Sequence, residues 1–159
     1  MMSLVVVERN IPTGADVLWE LIADLDNLAQ WMPKVQSAEL LGNQRTGIGR
    51  RQKVVLHWRP GEWVQEQALI TWEPGRRIGW RALTQQIRGR DLKQLKNLQT
   101  IITLSEREGY TSVRIETLWT PVGLRGKLFS RFFFQPAVRR QLKGALKGLE
   151  RLAGRKDEL

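Results

Sequence analysis

The sequence holds one histidine, His57, and no cysteine. A Ser-His-Asp arrangement would therefore have to use His57, while thiolate catalysis and cysteine-ligated zinc are excluded. Apolar and polar residues alternate over 51–58, which places His57 on the same strand face as Arg51 and Lys53. Because the charged face of a strand is usually the solvated one, we predict that His57 is exposed rather than catalytic.

The acidic residues also lack a catalytic pattern. Asp24 and Asp26 lie near the end of a predicted helix, where carboxylates usually cap backbone N–H groups. Glu66 and Glu116 fall on predicted strands, where we expect each to be solvated or paired with arginine. Gly47-Ile48-Gly49 lacks the remainder of a nucleotide-binding fingerprint. We therefore predict no catalytic residue, no metal site and no cofactor.

The longest helical pattern covers residues 122–154, and it is the element most able to position a site. Apolar residues recur there at steps of three and four, which places them on one helix face. They are Leu124, Leu128, Phe132, Val138, Leu142, Ala145, Leu146, Leu149 and Leu152. The opposite face is basic, and Pro136 predicts a kink or two abutting helices. We expect the apolar face to lie on a sheet.

Phe132, Phe133 and Phe134 are consecutive, and successive helical residues point in directions about 100° apart. All three rings therefore cannot face inward, and at least one is expected to be exposed or covered by a loop. Next to the basic side chains Arg125 and Lys127, such a surface could touch an anionic membrane. The alternative is a kinked helix that buries the rings against the first two helices.

Upstream of this helix the pattern changes to period two. A strand over 3–11 precedes two short helices, one from about Val17 to Leu25 and one holding Leu28 and Trp31. Six more strands are predicted over 35–41, 51–58, 63–72, 77–83, 98–105 and 111–120, with a turn at Pro60-Gly61 and a polar loop over 84–95. Turns at this spacing are typical of an antiparallel meander.

The facing of the predicted strand 63–72 remains open. Its alternation favours Val64, Ala68, Ile70 and Trp72 on the inner face. The opposite register would instead place Trp63 and Leu69 inside.

The net charge is +10 and the calculated pI is 10.8. Such a balance suggests an acidic partner, either nucleic acid, a ribosome or an anionic membrane, unless the basic face is only solvated. The apolar run over 4–7 is too short for a signal-peptide core, and we interpret the final Lys156-Asp157-Glu158-Leu159, an ER-retention address, as coincidental. We therefore expect a cytoplasmic protein, at most peripheral to a membrane.

Several segments resemble the helix-grip superfamily of START, birch-pollen-allergen and polyketide cyclase domains. They are PTGADVLWELIAD (12–24), Trp31 with Pro33, Trp63, WEP (72–74), RIGWR (77–81), TSVRI (111–115) and TPVG (120–123). The similarity is to the polyketide cyclase/dehydrase and lipid-transport branch. It implies an α+β helix-grip fold, in which a curved antiparallel sheet of about seven strands wraps around the long C-terminal helix. A single domain would cover 1–154, with a tail over 155–159.

In the fold that it resembles, the helix and the sheet enclose a largely apolar cavity. The candidate lining residues are Trp58, Ile78, Trp80, Val113, Ile115, Thr117 and Trp119 from the sheet, with Leu128 and Phe132 from the helix. Each could instead simply fill the core.

The resemblance and the lack of a catalytic set together favour binding or transport of a hydrophobic small molecule, such as a lipid, an isoprenoid or a polyketide-like compound. One alternative is a polyketide cyclase or dehydrase, which needs acid–base groups in the cavity. Another is a ribosome- or RNA-associated protein, with Arg88, Arg90, Lys93 and Lys96 as phosphate contacts.

Overall fold

The computed structural model describes residues 2–58 and 61–157. Strand β1 (Ser3–Ile11) is followed by helix α1 (Ala15–Ala23), a 3-10 turn (Leu25–Asn27) and helix α2 (Leu28–Trp31). The remaining strands are β2 (Val35–Leu41), β3 (Arg51–Trp58), β4 (Gly61–Glu73), β5 (Arg77–Ile87), β6 (Arg90–Asp91), β7 (Leu95–Arg107) and β8 (Tyr110–Pro121). The chain then continues through α3 (Gly123–Phe129), a π-helical segment (Ser130–Phe134) and α4 (Gln135–Asp157).

The strands form one eight-stranded sheet in the order β1-β8-β7-β5-β4-β3-β2, with β6 paired to β5. Every pairing is antiparallel. Helix α4 lies against β1, α1 and α2, with Val138, Leu142 and Leu149 buried in the shared core. The predicted α+β architecture, with two short helices after the first strand and a long C-terminal helix, is confirmed.

The predicted polar loop over 84–95 is wrong in its first half. β5 continues to Ile87 and returns as β6 through Arg88 and Gly89, whose φ angles are 54° and 76°. Two successive positive φ angles are the geometry of a tight two-residue hairpin, and only Gly89 signals it in the sequence. Pro60 of the other predicted turn lies outside the described residues.

Strand β4 turns Trp63, Gln65, Gln67 and Leu69 toward the core. The register with Trp63 and Leu69 inside is therefore the observed one, and the favoured alternative was wrong. The apolar alternation misled because two of the inward positions are glutamines.

The C-terminal helical run also differs from the expected facing. Gly126, Ser130 and Phe134, at steps of four, are buried, whereas Leu124, Leu128 and Phe132 are exposed. A Cβ on Gly126 would lie 2.6 Å from the Gln94 carbonyl oxygen, so this face approaches the β6–β7 connection as only glycine can.

The interruption predicted at Pro136 takes the form of the π-helical segment. The Gln135 N–H donates to the Ser130 carbonyl five residues back, and Pro136 follows without an N–H to donate. Helix α4 then reaches Asp157, three residues past the predicted end at Gly154. Glu158 and Leu159 of the predicted tail lie outside the described residues. Within the described ranges, no helix combines the length and apolarity needed to cross a membrane.

Candidate ligand-binding site

A small cavity of about 60 Å³ lies between the inner face of the sheet and helices α2 and α4. Its volume suits only a few water molecules, at roughly 15–30 Å³ each. Trp58, Trp63, Trp80 and Phe134 contribute most of the aromatic lining. The polar lining groups are the amides of Gln65, Gln67 and Gln141 and the hydroxyls of Thr100 and Thr117, which lie 2.9 Å from each other.

A larger groove of about 850 Å³ opens next to this cavity and shares Trp58, Trp63, Phe134 and Gln141 with it. One wall comes from the β5–β6 hairpin and the segment after it, with Ile87 and Leu92, and the other from the C-terminal helical run, with Phe129 and Phe133. Small-molecule sites typically measure about 300–1,000 Å³ and are mostly apolar. The groove therefore has the size and the chemistry of a ligand site.

Phe134 is one of the residues that line both the cavity and the groove. Its ring is fully buried, and its centroid lies 4.8 Å from that of Trp119, 5.5 Å from Trp63 and 5.7 Å from Trp58. Edge-on and tilted contacts of this kind add stability beyond the buried area. The π-helical segment places Phe134 there, while Phe132 and Phe133 of the same segment face outward.

Two indole groups at the boundary carry unused donors. The rings of Trp58 and Trp63 meet edge to face with centroids 4.8 Å apart, and both Nε1 atoms are buried without a hydrogen-bond partner. The Trp119 indole differs, since its N–H donates to Ser130 Oγ at 2.8 Å. An unpaired buried donor costs stability that an acceptor would restore. Two further buried nitrogens, Trp31 Nε1 and Arg77 Nε, also lack a hydrogen-bond partner, although Arg77 Nε lies 3.8 Å from the Glu73 carboxylate. Neither residue lines the cavity or the groove.

A row of side-chain amides runs along the inner face of β3, β4 and β5. Gln52 lies opposite Gln67, and Gln65 lies opposite Gln85, in the strand register. Gln52 donates to Gln67 at 2.8 Å, Gln67 donates to Gln65 at 2.7 Å, and Gln65 donates to Gln85 at 3.3 Å. Each amide therefore donates a hydrogen bond to the next one. This hydrogen bonding allows polar side chains to lie on the inner face of the sheet.

Arg50 begins this row from a position that is only 3% exposed. Its Nε donates to Gln52 Oε1 at 3.0 Å, and its Nη1 donates to the carbonyls of Ala23 and Arg45 at 2.7 and 3.1 Å. Burial lowers the pKa of Arg50, and the Asp24 carboxylate opposes that effect. The guanidinium lines neither the cavity nor the groove, so its role in the row is to orient Gln52.

The structure places the predicted lining residues in three different environments. Trp58, Trp80 and Thr117 line the inner cavity. Ile78, Val113, Ile115 and Trp119 are buried in the core away from the cavity and the groove. Leu128 and Phe132 are exposed, so their predicted inward facing is wrong. The helix cannot turn them inward because Gly126 and Ser130 already contact the protein on that side.

The side chains considered for catalysis lie outside the inner cavity. His57 is exposed, as predicted, and Glu66 pairs with Arg51 at 3.3 Å. Glu116 pairs with Arg114 at 2.9 Å, and Asp24 accepts a hydrogen bond from the Asp26 N–H at 3.0 Å. The inner cavity has no ionisable side chain in its described lining, whereas Lys34, Arg90, Asp91 and Arg140 line the groove. Residues 2–58 and 61–157 contain no cluster of three or more His, Asp or Glu side chains that could hold a metal ion.

The family comparison matches residues 2–154 to the model of the polyketide cyclase/dehydrase and lipid transport family. The chain belongs to this family. Members of this START-like family are known for binding hydrophobic small molecules, and the helix-grip fold implied by the resemblance is confirmed.

Solved structures with low sequence identity share the fold. The Thermus thermophilus protein TTHA0849 is 18% identical with a TM-score of 0.76, over 95% of this chain and 97% of its own. The Zhui aromatase/cyclase of Streptomyces sp. R1128 is 16% identical with a TM-score of 0.77, over 98% and 96%. A START superfamily protein of Mycobacterium smegmatis is 12% identical with a TM-score of 0.68, over 96% and 97%. A comparison with curated protein sequences finds no match.

Sequence reasoning missed the glutamine row and the groove itself. The signal for the row was present, since Gln65 and Gln67 occupy alternate positions that share a face with Trp63 and Leu69. The groove had no local signal, because its walls come from the β5–β6 hairpin and from a helix more than thirty residues later.

Proposed function

We propose that the protein binds a hydrophobic small molecule in the groove, as a carrier or sequestering protein rather than an enzyme. The observation that carries this proposal is the apolar groove of about 850 Å³ bordered by Trp58 and Trp63, whose buried indole N–H groups have no partner. An apolar body would pack against Ile87, Leu92 and Phe129, which are groove residues. The chemical class is that of lipids, isoprenoids or polyketide-like aromatics.

The unpaired donors further define the ligand. An indole N–H can only donate, so its complement is an acceptor such as a carbonyl or ether oxygen. A net hydrogen bond contributes about 0.5–1.5 kcal/mol, which corresponds to roughly two- to tenfold in affinity. We therefore expect an apolar ligand with an acceptor oxygen to bind more tightly than a hydrocarbon of the same shape.

A matched pair of probes tests this expectation. 2-Acetylnaphthalene and 2-isopropylnaphthalene have similar shapes, but only the first carries a carbonyl oxygen. Titrations followed by tryptophan fluorescence should give the ketone a several-fold lower Kd, about fivefold for one hydrogen bond. Trp58→Phe/Trp63→Phe, which removes both unpaired donors, should remove this preference and leave the Kd of the hydrocarbon nearly unchanged.

Trp31→Phe is the matched control, because it removes an equally buried and unpartnered N–H that lies outside the groove. It should preserve the preference for the ketone. Failure of the wild-type protein to bind either probe would contradict the proposed function. Equal affinities for the two probes would contradict the role assigned to the indole groups.

A cyclase or dehydrase activity is the second candidate, and one observation supports it. Asp91 and Lys34 line the groove and supply a carboxyl and an amine, which are the kinds of group that such chemistry needs. Incubation with a poly-β-keto thioester, followed by mass spectrometry, tests it. Cyclised product from the wild-type protein, lost in Asp91→Asn, would replace the carrier proposal with the enzymatic one.

A further inference from the structure

One face of the C-terminal helical run packs against the rest of the protein through Gly126, Ser130 and Phe134. At Gly126 the helix backbone approaches the Gln94 carbonyl closely. A Cβ atom on residue 126 would lie only 2.6 Å from that carbonyl oxygen. Ser130 Oγ accepts the Trp119 N–H at 2.8 Å, and Phe134 is packed among three tryptophan rings. These contacts fix the rotation of the run about its axis.

The opposite face is therefore held in solvent although it is strongly apolar. Leu124, Leu128, Phe132 and Phe133 are 74%, 50%, 60% and 69% exposed, and we call these four residues the outer apolar face. They lie within ten consecutive residues, so the exposed side chains neighbour one another on one helical surface. Contiguous exposed patches of this kind are rare on monomeric soluble proteins and usually mark an interaction surface.

Charge indicates which partner suits this surface. Residues 117–149 contain seven Lys or Arg residues and no Asp or Glu. Arg125, Lys127 and Arg131 belong to the same helical run as the outer apolar face, and the Arg131 guanidinium lies 5.6 Å from the centroid of the Phe132 ring. A two-fold contact with a second copy would place these like charges against each other, which disfavours self-association.

We propose that the outer apolar face docks on an anionic lipid bilayer. The leucine and phenylalanine side chains would enter the boundary between headgroups and acyl chains, and the arginines and lysines would meet anionic headgroups. Phe133 belongs to the outer apolar face and also lines the groove. Docking in this orientation therefore opens the groove toward the membrane, which is a source of apolar ligands. The docking surface itself does not depend on which ligand the groove binds.

The absence of cysteine allows a site-specific test in the full chain. Phe132→Cys is labelled with an environment-sensitive nitrobenzoxadiazole fluorophore and mixed with phosphatidylcholine vesicles with or without phosphatidylglycerol. The emission should shift to the blue with the anionic vesicles only. The same label on Ile48→Cys, which is 65% exposed in the β2–β3 loop, should not shift.

Charge substitution on the outer apolar face gives the second arm of the test. Leu128→Glu/Phe132→Glu should weaken co-sedimentation with anionic vesicles by about tenfold or more, because both apolar contacts are lost and two negative charges are added. Ile48→Glu is the control and should lose little binding. Since both altered residues are exposed, the thermal unfolding midpoint should remain near that of the wild type.

Three outcomes would overturn the proposal. The first is no binding of the wild-type chain to anionic vesicles at low salt, or no spectral shift of the label at position 132. The second is a wild-type dimer in analytical ultracentrifugation that Leu128→Glu/Phe132→Glu converts to monomer, which would assign the face to a second copy. The third is binding to ribosomal RNA that is tighter than binding to anionic vesicles at equal ionic strength and is unchanged in Leu128→Glu/Phe132→Glu, which would assign the basic residues to nucleic acid.

Discussion

The buried amides of Gln52, Gln65 and Gln67 show how single polar side chains are accommodated inside this sheet. Gln67 occupies the centre, donating to Gln65 and accepting from Gln52. Each partner therefore depends on it, because a buried polar group without a partner costs about 1–3 kcal/mol.

Gln67→Leu should destabilise the protein by about 2 kcal/mol, since it leaves Gln52 Nε2 and Gln65 Oε1 without their partner. Urea unfolding followed by circular dichroism measures this change in the free energy of unfolding. Gln36→Leu, at an exposed position of β2, is the control and should change stability by less than about 0.5 kcal/mol. Equal effects at the two positions would refute the structural role of the row.

Residue identities alone predicted the exposure of His57 but little of the site. The exposure of His57 followed from its charged strand face. The inward facing of Gln65 and Gln67 did not, because polar residues at alternate positions normally indicate the solvated side of a strand. These glutamines can face inward because they form hydrogen bonds with side chains on β3 and β5. The sequence of β4 alone does not indicate such partners.

Among the elements, helices α2 and α4 pack at glycine positions. A Cβ on Gly144 would lie 2.7 Å from Pro33 Cγ, and a Cβ on Gly148 would lie 2.5 Å from the Trp31 carbonyl oxygen. Gly154, later in the same helix, has no atom within 4 Å of such a Cβ. The same substitution in one helix should therefore have opposite effects at Gly148 and at Gly154.

Gly148→Ala should lower the free energy of unfolding by about 1–3 kcal/mol, because α4 has to move away from the α2 backbone. Gly154→Ala should raise it by about 0.5–1 kcal/mol through the higher helix propensity of alanine. Chemical denaturation of the two variants beside the wild type measures both. Stabilisation by Gly148→Ala would show that the close contact between α2 and α4 is not maintained.

The ion pair between Arg9 and Glu150 connects β1 to α4. The hydrogen bond from Arg9 is the main reason that the pKa of Glu150 is lowered. A carboxyl with a lowered folded-state pKa contributes stability above its unfolded-state pKa, and this contribution is lost as pH falls through the folded-state pKa. Because more than a third of each side chain is exposed to solvent, the contribution of the pair is small.

Glu150→Gln should therefore unfold at a slightly lower temperature than the wild type at neutral pH. The difference should close as the pH falls below 4.5, the ordinary pKa of a glutamate side chain. Thermal melts across this pH range measure it. Glu108→Gln, which removes an exposed carboxyl in the turn between β7 and β8, is the control for the loss of one surface charge.

The helical stripe of Leu124, Leu128 and Phe132 shows the limit of prediction for elements. Periodicity identified the helix and its apolar face. Which face packs inward depends on the shape of the surface that the helix contacts. A stripe of Gly126, Ser130 and Phe134 fits the strands more closely than leucines would, because the backbone at Gly126 approaches the Gln94 carbonyl. The orientation of this helix is therefore determined by shape complementarity with a distant segment of the chain, and not by the hydrophobic pattern of the helix itself.

At the scale of the whole molecule, the interior holds a small cavity and a large groove, and Phe134 lines both. The element order and the grip of the helix on the sheet were both predictable, because turn spacing and periodicity are local signals. The size of the cavity was not predictable, since it depends on how completely side chains from six strands and two helices fill the same space.

Phe134→Leu should join the two spaces at a cost of about 1 kcal/mol in stability. The variant should then bind 2-acetylanthracene better, relative to 2-acetylnaphthalene, than the wild type does. Phe133→Leu alters a ring that lines only the groove and should leave this ratio unchanged. An unchanged ratio in both variants would mean that the ring of Phe134 does not limit ligand length. Fluorescence titrations of the two ketones supply the ratio.

The position of Arg50 at one end of the amide row has a consequence for the polarity of the small cavity, which Gln65 and Gln67 line. A guanidinium has no acceptor atom, so Gln52 must turn its oxygen toward Arg50 and its nitrogen toward Gln67. Every later amide must then turn the same way as far as Gln85. The amide dipoles of the row therefore all point in the same direction along it. Arg50, which lines neither the cavity nor the groove, sets that direction. Because Gln65 and Gln67 line the small cavity and not the groove, we expect a small polar molecule in that cavity to adopt the one orientation that matches these dipoles.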